Sequence, residues 1–155
     1  MPALLSIIYV SHSSRLMSRE EIHQLLDDAR ERNQQAGITG ILLHADGNFM
    51  QYIEGDPATV EATFARIKRN PAHRNIIELQ RKEICEREFA DYSMAYWTPE
   101  RVGFVKGSQE QSFDVAAAFN AIHSPVVKAL LGGFCDRSSQ EWALVSKVES
   151  HIAAL

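Results

Sequence analysis

An α+β fold, a ferredoxin-like β-α-β-β-α-β sandwich with one extra strand and two C-terminal helices, is predicted by three features of the sequence. Two helix starts are written locally: Ser18 with Glu21 makes a capping box, and Asp56-Pro57 reads as an N-cap followed by proline at the first helical position. Asp46-Gly47 stands between two apolar runs, and its tolerance of positive φ suits a type I′ two-residue hairpin. Short β-branched runs lie before, between and after these elements, which sets their order.

The elements follow in sequence. Residues 4–10 (LLSIIYV) form the first strand, apolar enough for burial on at least one face, with Tyr9 at its end. Ile22, Leu25, Leu26 and Ala29 recur at helical spacing, predicting a helix over residues 19–35 that Gly37 stops. Residues 37–44 and 49–54 are the hairpin strands; with Asp46 and Gly47 central, Leu42 faces Gln51, and Phe49, Gln51 and Ile53 share one side. Val60, Phe64 and Ile67 line a second helix that ends before Pro71. Residues 76–79 give a fourth strand and residues 94–97 a fifth. Two helices on one face of this sheet leave a slot in which a flat ligand can lie.

Beyond this unit, residues 103–107 read as a linker, and residues 113–131 and 139–154 as helices separated by Gly132-Gly133. Their apolar positions, among them Phe119, Ile122, Val127, Leu131, Trp142 and Val145, are too many for solvated helices, so the pair must pack on the sheet's open face or on another subunit.

The composition excludes several classes. In 155 residues, 16 basic and 20 acidic side chains give a net charge of −4, without the basic excess that nucleic-acid binding requires. No apolar run is long enough to span a bilayer and no secretory signal pattern opens the chain, so a cytoplasmic protein is expected. Cys85 and Cys135, fifty residues apart, read as reduced structural thiols.

Candidate chemistry is sparse. The six histidines show no metal-ligand spacing, so no metal is expected. Val105-Lys106-Gly107-Ser108 has the wrong order for a phosphate loop and reads as a surface turn, and no serine lies in a GxSxG context. What stands out is polar amides in apolar settings: Asn33 continues the stripe of Ile22, Leu26 and Ala29, and Gln51 lies between Phe49 and Ile53. An amide buried without partners costs about 1–3 kcal/mol, so two converging on one slot suggest a ligand offering both donors and acceptors, as the edge of a flavin's isoalloxazine ring does. The alternative is that each amide caps a turn or bonds backbone, and Tyr9 likewise is either core or functional.

Residues 6–11 (SIIYVS), Arg32-Asn33, residues 37–43 (GITGILL) and residues 46–55 (DGNFMQYIEG) closely resemble the BLUF family, sensors of blue light using FAD. The likeness continues through Asp56-Pro57, Val60, Arg66-Ile67, Pro71, His73-Arg74 and Arg87 to Met94, covering residues 3–97. The resemblance implies a non-covalently held FAD, with FMN the alternative, its ring between the two helices. It implies that Tyr9 is the photoactive tyrosine, Gln51 the hydrogen-bond switch, Met94 its neighbour on the last strand and Asn33 the flavin-anchoring amide. Leu25 and Ile67 would sandwich the ring, and Arg32, Arg66, Asn70 and His73 would complete the cofactor site. Departures are Tyr92 where many members carry tryptophan, Trp97 on another register, Asn70 in place of an aspartate and Ala72 in place of a basic residue, implying altered anchoring of the ring or the ribityl chain.

On this resemblance, residues 1–97 are the photosensory domain and residues 98–155 a helical extension for output or oligomerisation. The chain is expected to be a stand-alone photoreceptor and not an enzyme. It would signal through a homo-oligomer or a separate downstream protein, without contacting nucleic acid or membrane. The alternative is a non-photochemical flavin-binding or scaffold protein on the same fold. An acylphosphatase-type enzyme finds only an echo of an anion loop in residues 11–15 (SHSSR).

Overall fold

The computed structural model describes residues 3–13, 18–92, 94–97, 102–106, 109–111 and 115–136. In chain order the elements are β1 (Leu4–Ser13), α1 (Arg19–Ala36), β2 (Thr39–Ala45), β3 (Asn48–Gly55), α2 (Pro57–Arg69), β4 (His73–Ile84), β5 (Ala95–Trp97), β6 (Val102–Lys106), β7 (Gln109–Gln111) and α3 (Val115–Asn120). A further helix, α4, runs over residues 125–136. The strands order as β4-β1-β3-β2-β5-β6-β7. β1 lies between β3 and β4, antiparallel to both, and β5 is parallel to β2. This is the interleaving of two β-α-β units, each helix crossing over the strand between its own two. The fold is α+β and ferredoxin-like, as the sequence predicts.

Local chemistry sets the ends of the first elements. The Ser18 side chain accepts the Glu21 N–H while the Glu21 carboxylate accepts the Ser18 N–H, and Gly37 closes α1 at φ 69°. The Asp56 carboxylate caps α2 at the Thr59 N–H, with Pro57 placed where a missing N–H costs nothing. Asp46 and Gly47, at φ 52° and 76°, turn the chain between β2 and β3, and Leu42 stands opposite Gln51.

The sheet divides two apolar clusters. Ile7, Tyr9, Leu42, Phe49 and Ile53 bury one face against Leu26 of α1 and Val60 and Phe64 of α2. Ile8, Ile41, Leu43, Met50, Tyr52 and Trp97 bury the other against Ala118 of α3 and Val127 and Leu131 of α4. The C-terminal helices therefore cover the sheet's open face.

Several expectations are corrected. Residues 103–107 are not a linker: most of them belong to β6, which pairs with β5 and, through Val105 opposite Glu110, with β7. The Gly103 and Gly107 punctuation hid the Phe104-Val105 core of a strand. The helix expected over residues 113–131 is broken, because Pro125 has no N–H to continue it and the Ser124 hydroxyl restarts a helix by accepting the Val127 N–H at 3.3 Å. Gly132 and Gly133 lie inside α4 and do not end it. β4 is far longer than residues 76–79, because as the outermost strand it needs apolar side chains on little of its length. Tyr9 sits in mid-strand, since β1 continues to Ser13. The helix expected over residues 139–154 lies outside the described residues. Both cysteines are free; burial pushes the Cys135 thiol up to about 12, whereas Cys85 is exposed and packs in no core.

Gly40 permits a close approach of the β2 and β3 backbones. Its φ is 157°, and a Cβ there would lie 1.9 Å from the Tyr52 carbonyl oxygen on β3. Gly40→Ala is expected to push β2 from β3 and lower unfolding stability by about 1–3 kcal/mol, read as a lower urea midpoint at unchanged slope.

Candidate functional site

A cavity of about 300 Å³ opens between α1, α2 and the sheet. Its floor follows from strand register. Tyr9 pairs with Gln51 across β1 and β3, and Gln51 pairs with Leu42 across β2, so these three side chains rise side by side from the same face. The Tyr9 hydroxyl donates to Gln51 Oε1. Gln51 Nε2 donates to Met94 Sδ at 3.5 Å, a weak acceptor that leaves most of that amide's donor capacity free. Burial raises the Tyr9 phenol pKa well above its ordinary value, so Tyr9 keeps its proton and serves as a donor.

The walls come from the helices. Leu25 projects into the cavity from α1 and Ile67 from α2. Asn33, one of the lining residues, is only 4% exposed, and its side-chain amide has no protein partner among the described residues. Its main-chain oxygen is committed to the end of α1, accepting the Ile38 N–H at 2.8 Å. The amide opens on the cavity, where a ligand can complete its hydrogen bonds.

Arg32, Arg66 and Arg69 line the exposed mouth. Partial burial, with the charges of Arg32 and Arg69, lowers the Arg66 pKa from its ordinary value. The charges of Arg32 and Arg69 beside Arg66 make the mouth a place where an anion is welcome. His73 lies at the inner end, its Nδ1 2.9 Å from Ser11 Oγ and its ring edge-on to Tyr9 and Phe49 at 6.3 and 5.0 Å. Burial lowers its pKa. Asn70 also lines the cavity, but Asn70 Oδ1 accepts the Ala72 N–H at 2.9 Å, so that oxygen shapes the turn into β4.

The structure thus brings Tyr9, Leu25, Arg32, Asn33, Gln51, Arg66, Ile67, Asn70 and His73 to one cavity, with Met94 behind Gln51. The sequence reading missed Thr63 and Arg69, which also line it. Their signal was helical spacing: Thr63, Arg66, Ile67 and Asn70 succeed one another on one face of α2. Trp97 faces away, 6.5 Å from the Phe134 ring, and Tyr92 packs on that same far side. Among the described residues no group of histidine, cysteine and carboxylate side chains could hold a metal ion, and no helix is long and apolar enough to cross a membrane.

The donor set suits a flavin: a flat slot between Leu25 and Ile67, amides offering donors and acceptors to a polar ring edge, and arginines at the mouth for phosphate. Comparison with known proteins agrees. Residues 4–95 match the family model for sensors of blue light using FAD. The chain is 29% identical over 135 residues to photoactivated adenylate cyclase subunit beta of Euglena gracilis, spanning 84% of this chain and 16% of that one. It is 36% identical over 76 residues to the blue light- and temperature-regulated antirepressor BluF of Escherichia coli (strain K12), spanning 49% of this chain and 19% of that one. Among solved structures it resembles BlrB, a BLUF protein in its dark state, at 33% identity and a TM-score of 0.61, covering 64% of this chain and 76% of that one. The chain therefore spans a small part of the curated relatives it matches.

Two buried imidazoles give this face a pH signature. His73 and His44, the latter stacked 4.5 Å from Phe49, both have pKa values lowered by burial, which for His44 outweighs the nearby Asp46 carboxylate. The unfolded chain takes up protons near pH 6.5 where the native protein does not, so this contribution is intact above about 6.5 and is lost as pH falls below it. The melting temperature is expected to fall between pH 7.5 and 5.5, and more shallowly in His73→Gln. Equal slopes in both proteins would show that burial does not hold His73 neutral.

Proposed function

The chain belongs to the BLUF family of sensors of blue light using FAD, and from that premise we propose that it is a photoreceptor holding FAD non-covalently between α1 and α2, with Tyr9 and Gln51 as its switch. The observation that carries this reading is the contact chain from the Tyr9 hydroxyl through the Gln51 amide to Met94, beside an Asn33 amide that lacks a protein partner among the described residues.

Leu25 and Ile67 would sandwich the ring, Asn33 and Gln51 would meet its polar edge, and Arg32, Arg66 and Arg69 would hold phosphate, which FAD and FMN both offer; His73 would close the inner end. When bound, the flavin supplies blue absorption and an excited state that oxidises readily. Tyr9 is the phenol placed to release an electron with its hydroxyl proton and to take both back, so nothing is consumed. While that proton is away, Gln51 Oε1 has lost its donor, and the amide can rotate or tautomerise. On the proton's return, Gln51 presents a different atom to the cavity and to Met94. Burial of Tyr9 excludes water that would otherwise take the proton.

The relatives' names place this sensor beside a cyclase in one case and an antirepression activity in another. The BLUF-matched residues carry no enzyme chemistry of their own, and in this chain we assign residues 1–97 to sensing and residues 98–155 to output. Output would then be a light-dependent change in self-association or in affinity for a separate cytoplasmic signalling protein.

The test is the visible spectrum of the purified, FAD-reconstituted protein in the dark and after blue illumination. A yellow protein with a reversible red shift is expected, with Tyr9→Phe and Gln51→Ala retaining flavin absorption and losing the shift. Met94→Ala is expected to bind flavin but to lose light-dependent assembly, read by size-exclusion chromatography. A yellow protein without a shift would leave flavin binding without photochemistry, and one that stays colourless would hand the cavity to another ligand.

A further inference from the structure

On the sheet face away from the cavity, two carboxylates form a chain of contacts that the Tyr9–Gln51 pair does not use. Glu54 lies near the end of β3, three residues after Gln51, and is fully buried. Its Oε1 accepts the Thr39 hydroxyl at 2.9 Å and the Phe89 N–H at 2.7 Å; its Oε2 accepts the Tyr52 hydroxyl at 2.7 Å and the Glu88 N–H at 2.8 Å. Four donors saturate the group and fasten the Glu88-Phe89 backbone to β3. From there the chain runs toward Met94, with the Tyr92 N–H on Phe89 O at 3.0 Å and the Gly40 N–H on Tyr92 O at 3.1 Å.

The Glu88 side chain leaves this fastened segment in the other direction. Its Oε2 accepts the His123 N–H at 2.7 Å and its Oε1 the Ser124 N–H at 3.1 Å, the two amides that precede α4. The start of α4 is thereby tied to β3 through two carboxylates in series. Its far end meets a different part of the sheet, where Phe134 lies against Trp97 of β5, two residues beyond the strand's start and on the opposite face from Met94.

We infer that Glu88 is a positioning residue that pins the start of α4 to β3, so that a displacement of β5 beside Met94 and Trp97 reaches α4 at its Phe134 end and tilts the helix about the pinned end. Without the pin, a push at one end would slide or fray the helix, since among the described residues its other contacts with the sheet are apolar. The inference rests on the photoreceptor reading for its light-dependent half and on the hydrogen bonds of this structure alone for the pin.

The experiment is amide hydrogen exchange on the full chain with FAD bound, in the dark and under blue light, for the native protein, Glu88→Ala, Glu88→Gln and Glu86→Gln. In the dark, Glu88→Ala should raise exchange over residues 123–128 by about tenfold, the scale of losing a helix cap. Glu88→Gln, which keeps one acceptor oxygen, should fall between. Glu86→Gln, whose carboxylate lies 3.8 Å from the exposed His123 ring, should leave exchange unchanged. Under light the native protein should change protection over residues 131–136 while residues 123–128 stay protected. Glu88→Ala should lose that contrast and keep its flavin red shift. Unchanged dark exchange in Glu88→Ala, or an equal effect of Glu86→Gln, would overturn the pin. If Glu88→Ala does not fold, the same readings on Glu88→Gln decide. Native protein with a red shift but no change in α4 would overturn the tilt, whereas absence of the red shift would sink the photoreceptor reading and leave the dark result standing.

Discussion

The pairing of β1 with β3 is the constraint on which the rest depends. Side chains alternate across a strand, so Tyr9 and Gln51 meet only because Ile7 faces Ile53 and Ser11 faces Phe49 on either side of them. A slip of β1 by one residue would send Tyr9 to the α3 and α4 face and bring Ile8 and Val10 into the cavity. The Asp46-Gly47 turn fixes Gln51 from the other side, because it sets β2 against β3 and places Leu42 beside Gln51. A turn of two residues thus specifies the floor of a site some distance away.

The same alternation gives β5 its role. Met94 and Tyr96 belong to the cluster under α1 and α2, while Ala95 and Trp97 belong to the cluster under α3 and α4. A strand of three residues therefore touches both layers, and being packed on each side it can move only by displacing side chains in both. Close-packed interiors transmit such strain instead of absorbing it. This is why a contact as weak as the Gln51 amide on the Met94 thioether matters: its energy is small, but it lies where one face can be felt by the other.

Elements governed by neighbours in sequence were legible, and those governed by distant partners were not. The Ser18 capping box, the Gly37 stop, the Asp56-Pro57 start and the Asp46-Gly47 hairpin each need only three or four residues, and all stand where the sequence put them. Asn33 and Gln51 were visible because each broke an apolar pattern. Read through the family, Arg32, Arg66, Ile67 and His73 also reached the cavity. By contrast, β6 depends on pairing with Trp97 and β4 on its place at the sheet's edge. Nothing marked Glu54 or Glu88 as holders of backbone, since a glutamate bonded to backbone amides looks in sequence like one in water.

The cavity and its surroundings treat polar groups in opposite ways. Glu54, equally buried, is saturated by four donors and can only hold its position. Asn33 has no side-chain partner among the described residues, Gln51 is bonded to a thioether, and three guanidinium groups line the mouth. All of them face the cavity, where one anionic, flat ligand with a hydrogen-bonding edge would meet them together. Ligand binding then stabilises the fold by mass action, and the amide that meets the ligand remains the polar group with the fewest fixed partners. A group so placed can change its bonds without breaking the fold, whereas one held as Glu54 is cannot. The cavity floor and its frame are therefore distinguished by how completely their hydrogen bonds are satisfied.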